Sequence, residues 1–287
     1  MIQSFRSFVR VWVCLTLFAL TACAMPSQQP EIKSDADMWR AYEASLIAKG
    51  KLKTERIPPE APYSNADLIR TFREIMFFDE FIRENESYRA GRAERRLEKR
   101  AGPVRYSIWG SGVTAQDRRD LTEVVKRIRR ATSLDLKEAD QSSDIEVLIL
   151  NKTERLSLAR KTRLAGAVAM AVDLENNLEG LVCAAYYFES EDNPELVDYT
   201  IIIPDELSGI LRKSCIEEEF GQAFGPSADF DGARPSVFND DEEFALLTEH
   251  DEWLFRILYD PRLKDGMDLE TAMPIVRQIV AEIRPDR

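Results

Sequence analysis

Apolar positions recur along the chain in two rhythms. A three-to-four-residue rhythm marks helices. It runs through "ADMWRAYEASLIAKGKL", with Trp39, Tyr42 and Leu46 in register, and "RIPPEAP" breaks it. It resumes in "SNADLIRTFREIMFFDEFI", capped by Ser64 or Asn65, with Leu68, Phe72, Ile75 and Met76 on one side. Thr114–Asp117 is a capping box, and Leu121, Val124, Val125 and Ile128 follow as a helical stripe. Thr248–Asp251 is a second box, opening "EHDEWLFRILY", which Pro261 stops. "DLETAMPIVRQIVAEI" closes the chain as a helix, with Ile275, Ile279 and Ile283 in line. The strand rhythm appears in "VRYSIWG", "SDIEVLILN", "LVCAAYYFES" and "VDYTIIIP", and "ESEDNPEL" suits a hairpin connection between the last two. Pro204-Asp205 then starts a helix carrying "SCIEEEFGQAFG", and residues 226–243 are an irregular loop. Strands precede most of the helices, which predicts an α+β fold with a twisted mixed sheet.

Composition changes the picture at the amino end. "MIQSFRSFVR" is basic, "VWVCLTLFALTA" is apolar but short for a membrane span, and Leu20-Thr21-Ala22-Cys23 follows. The last four residues resemble a bacterial lipobox, which implies acylation of Cys23. Residues 1–22 are therefore expected to be a signal peptide, residues 23–62 a tether with one helix, and residues 63–287 the main domain. Ala24 resembles an outer-membrane sorting signal, so the expected address is the periplasmic side of the outer membrane. An uncleaved anchor is the alternative. Two cysteines then remain in an oxidising compartment, Cys183 and Cys215. One disulfide is the economical reading, contributing roughly 3–4 kcal/mol through loop closure; two buried thiols are the alternative.

The net charge of −12 argues against nucleic acid as a partner. Charge is unevenly spread: residues 83–165 sum to +7 and residues 166–260 to −19. The two stretches either attract each other within the domain or offer an acidic face to a basic envelope protein or a cation. Residues 83–105 hold eight basic and four acidic residues, expected as a solvated helix face, or as a contact for an acidic partner or anionic headgroups.

Chemistry concentrates at residues 214–225. On a helical wheel Ile216, Phe220, Ala223 and Phe224 form one apolar stripe, while Leu207, Leu211 and Cys215 lie on another side, continued by Glu218 and Gln222. A carboxylate buried there needs a cation, a shared proton or an arginine. The segment resembles the zincin helix His-Glu-x-x-His-x-x-Gly with both histidines absent: Glu219 stands at the base position, Glu218 and Gln222 at the ligand positions, and Gly225 at the glycine. "LLTEHDEWLFRILYDP" is similar to the segment that follows the motif in metzincin peptidases. Residues from about 63 to 285 resemble the domain of unknown function 2927 family, lipoproteins of proteobacteria, through "DLIRTFREIMFF", "GPVRYSIWG", "SCIEEEFGQAFG", "RPSVFNDD" and "LTEHDEWLFRILYDPRLKDGM". That resemblance implies no established activity, and it implies that Cys183 and Cys215 belong together.

Zinc hydrolysis needs imidazole or thiolate ligands, and a glutamine oxygen is a poor substitute. The third metzincin ligand would fall at Ala228. The sole histidine, His250, is expected at a surface or cap position. No cofactor is expected. Glu218, Asp229 and Asp231 are the oxygen-donor candidates for calcium or another hard cation. Three readings follow. Glu218, Glu219 and Gln222 form a buried polar network holding the loop 226–243, in a binding or structural module without zinc catalysis. Alternatively Glu219 is a general base, aided by Glu218 and Gln222, in a peptide or glycan hydrolase with "DYTIII" as an edge strand for extended substrates. In the third, the acidic stretch docks a basic protein.

Overall fold

The computed structural model describes residues 34–84, 87–140, 143–178, 180–188 and 199–285, without the side chains of residues 80–90. The signal segment, Cys23 and the "ESEDNPEL" connection lie outside the described residues. Lys33–Arg287 forms one compact unit.

Its centre is a five-stranded mixed sheet. β3 (Val104–Trp109), β4 (Leu136–Glu138), β5 (Ile145–Leu150), β6 (Ala184–Tyr187) and β7 (Tyr199–Pro204) stand in the order β4-β3-β5-β7-β6. The first four in that order run parallel and β6 pairs antiparallel with β7. β1 (Phe78–Glu84) and β2 (Ser87–Glu94) form a separate antiparallel hairpin. Eight helices complete the described fold: α1 (Asp35–Ala48), α2 (Asn65–Met76), α3 (Ala115–Thr132), α4 (Lys152–Leu164), α5 (Val168–Glu175), α6 (Gly209–Gln222), α7 (Glu249–Leu258) and α8 (Leu269–Ile283). This is the α+β architecture expected.

Alternation along the central strands gives the sheet two apolar faces. Val147, Ile149, Ile201 and Ile203 join the larger core with α2, α3, α6, α7 and α8. Leu148, Leu150 and Ile202 face α4 and α5 with Ala159, Met170 and Leu174. The boxes at Thr114 and Thr248 form as read, each hydroxyl accepting from the third backbone N–H of its helix while that aspartate accepts from the cap N–H. Ser64 caps α2 through Asp67 in the same way.

Four expectations are corrected. α2 ends at Met76, and the run after it crosses into β1, because a partner strand exists in β2. The basic stretch 83–105 is therefore the hairpin's second half, an irregular link and the start of β3, not a helix. "DYTIII" is no edge: β7 is paired on both sides, and β4 and β6 are the edges. The buried stripe of α8 is Ala272, Met273, Val276, Ile279 and Val280; Ile275 and Ile283 are only half-buried.

Candidate functional site

α6 follows β7 and lies against α3 over the larger core, fixed from three directions. At its amino end Ser208 makes no side-chain cap. The carboxylate of Glu43 in α1 replaces it, accepting from the Leu211 N–H at 2.8 Å. Gly209 makes room: it sits at φ +62°, and a Cβ there would come 2.6 Å from Glu43 Oε1. On the flank toward α3, Arg212 donates to both Asp117 oxygens at 2.9 and 2.8 Å, and Lys213 meets Asp120 at 3.3 Å and Glu123 at 3.1 Å. On the opposite flank Cys215 is bonded to Cys183, just before β6.

The carboxylate taken into the interior is Glu217, one residue before the pair singled out by the wheel. It is 2% exposed. Its Oε2 accepts from Arg127 Nη1 at 3.1 Å and from the Leu247 N–H at 2.9 Å. Arg127 also donates to Glu252 Oε1 at 3.1 Å and to the Leu247 carbonyl, and Glu252 pairs with Arg56. Burial pushes the Glu217 carboxyl up, and the Arg127 charge opposes it. Arg127–Glu217, Arg127–Glu252 and Arg155–Glu206 all join the basic stretch to the acidic one. The charge asymmetry is thus at least partly satisfied inside the domain.

Glu218 and Gln222 are half-buried, whereas Glu219 is 8% exposed. Glu219 and Asp229 lie close enough to Tyr199 for their negative charge to raise its hydroxyl pKa, after burial, the largest cause. The Arg100 guanidinium stands 5.9 Å from the Tyr199 ring, and its Nε donates to the Ala223 carbonyl at 2.5 Å. Glu219 and Asp229 are thus within electrostatic reach of Tyr199, which has Arg100 beside its ring. Asp231 is exposed.

Side chains of Asp251, Ser236, Asn239 and Ser227 help to pin the loop 226–243. Asp251 accepts from Ser236 Oγ at 2.5 Å and the Val237 N–H at 3.2 Å. Asn239 Nδ2 donates to the Ala233 carbonyl at 2.8 Å, and the Ser227 N–H to the Ile75 carbonyl at 2.9 Å. Gly225 has a local reason: φ is +136°, and a Cβ would lie 2.4 Å from Leu258 Cδ2.

His250 corrects another expectation. It occupies the first turn of α7 but is fully buried, edge-on to Tyr63 at 4.7 Å, with Nδ1 3.7 Å from Asp251 Oδ1. Tyr63, distant in sequence, covers it. Among the described residues no three His, Cys, Asp or Glu side chains converge as a metal site. The donor set on α6 does not fit zinc: Glu218 and Gln222 supply oxygens where imidazoles are needed, and the one histidine is turned to Tyr63. No described helix is long and apolar enough to cross a membrane.

A family model described as "Protein of unknown function (DUF2927)" matches residues 65–278. Comparison with curated proteins finds none that matches.

Proposed function

The chain belongs to the DUF2927 family of proteins of unknown function, and from that premise we propose that it is an envelope lipoprotein whose metallopeptidase-like domain serves as a binding or structural module. One observation carries the reading: on α6 the ligand positions hold Glu218 and Gln222, while Glu219 is closed over at 8% exposure. The succession β3, α3, further strands, then α6 behind β7 supports a zincin-like frame without zinc donors. The Leu20–Cys23 signal supports the lipid anchor and the periplasmic face of the outer membrane.

A second reading has one specific support, the nearness of Glu219 and Asp229 to Tyr199. In it Glu219 is the general base of a peptide or glycan hydrolase. Incubating the full chain and Glu219→Gln with peptide and peptidoglycan fragments separates the two. The module reading expects no turnover by either protein. Turnover by the parent that Glu219→Gln abolishes would overturn it in favour of the hydrolase.

A further inference from the structure

We propose that the pocket between the amino ends of α2 and α7 and the end of α8 binds a small organic monocarboxylate, its anionic head on Arg284 and its apolar body on proline and tyrosine walls. The pocket measures about 660 Å³, within the range typical of small-molecule sites. Its walls include Pro58, Pro59, Pro62, Pro235 and Tyr63, with Arg284 among them. Arg284 is 4% exposed. Its guanidinium lies 4.4 Å from the Tyr63 ring centroid and 5.7 Å from that of Trp253, so its faces are stacked. Its Nε and Nη1 nevertheless donate to nothing among the described residues. Two buried guanidinium nitrogens without acceptors are costly, and a carboxylate arriving through the pocket supplies what is missing.

The surrounding charges choose the ligand's class. Arg56, also in the wall, is paired with Glu252. Asp67 is held by the Ser64 N–H at 3.0 Å and hydroxyl at 2.7 Å. Glu249 sits 3.5 Å from the Tyr63 hydroxyl. These two carboxylates in the wall oppose a dianion such as phosphate, while a single negative charge matches Arg284, which has no ion pair among the described residues. The positive ends of α2 and α7 flank the opening. Nine of the twelve lining residues fall outside the family-matched segment 65–278, so the pocket is built mostly by what this chain adds to it. The proposal is independent of the reading of α6.

The test uses the full chain in mild detergent, with benzoate as the probe and benzyl alcohol and inorganic phosphate as controls. Calorimetric titration is expected to give one benzoate site, at least about tenfold tighter than benzyl alcohol or phosphate, and Arg284→Met is expected to lose about that factor. The side-chain Nε–H resonance of Arg284 in the unaltered protein is read in parallel, so that a poorly folding variant leaves the question decidable. It is expected to shift and saturate with benzoate. No saturation by benzoate, equal binding of benzyl alcohol, stronger binding of phosphate, or an unmoved Arg284 resonance would each overturn the proposal.

Discussion

Replacing Arg127 by alanine probes the centre of the molecule, where α3, α6 and the segment leading to α7 meet. The guanidinium donates to Glu217, Glu252 and the Leu247 carbonyl. Its removal leaves Glu217, among the described residues, with the Leu247 N–H and Lys213 at 3.9 Å, at 2% exposure. Glu252 keeps Arg56, and Arg256 at 3.7 Å. Breaking a buried pair by removing one partner typically costs about 3–5 kcal/mol. The surviving partner of Glu252 argues for the lower half, about 3–4 kcal/mol, or roughly 6–15 °C in Tm for a unit of this length. The double variant Arg127→Met, Glu217→Leu should recover more than half, because it removes the stranded charge as well. A pH arm sharpens the test. The folded-state pKa of Glu217 is raised above 4.5 by burial, so its contribution is full below about pH 4.5 and is lost as pH rises through the folded value. Without Arg127 that value rises further, so the deficit should be small at pH 4 and grow toward pH 7. Urea unfolding followed by tryptophan fluorescence at both pH values measures it. A deficit below about 0.5 kcal/mol at pH 7, or one unchanged between pH 4 and 7, would refute the reasoning.

Three further outcomes are expected. Replacing Cys183 and Cys215 by serine removes a cross-link over 32 residues and should cost about 3–4 kcal/mol in the same urea assay; a loss under 1 kcal/mol would contradict the loop-closure account. Gly209→Ala meets both a left-handed backbone and Glu43, so it should destabilise by about 1–2 kcal/mol, and Glu43→Ala in the same chain should relieve part of that loss. Glu243 is held at about 2 by Arg234 and Lys53. Its contribution is therefore present above about pH 4.5 and lost as pH falls through about 2. Because both cationic partners are partly exposed, Glu243→Gln should cost only about 1 kcal/mol at pH 7 and nothing near pH 2.

Much of the fold was legible because the chain writes its helix starts plainly. Thr114, Thr248 and Ser64 each carry an aspartate three residues on, and the apolar stripes after them are buried. Asn151 with Glu154 is the same signal for α4, and α5 behind it has no side-chain cap to announce it. β1 was hidden because "FFDEFI" fits a helix as well as a strand until β2 supplies its pairing. The site was harder to read. Consecutive helix positions differ by about 100°, so the wheel cannot decide whether Glu217 or Glu218 faces a neighbour until α7 is placed. Tyr63 and Arg284, at opposite ends of the domain, carry no local signal that they stack.

The proposal at the centre of this reading is that α6 stands where a metallopeptidase helix would, without the donors that hold zinc. Plasma mass spectrometry on the full chain, after exposure to equimolar zinc and gel filtration, tests it most directly. The account predicts well under 0.1 zinc per chain, the same for the parent and for Glu218→Ala with Gln222→Ala. One zinc per chain, lost in that double variant, would contradict it.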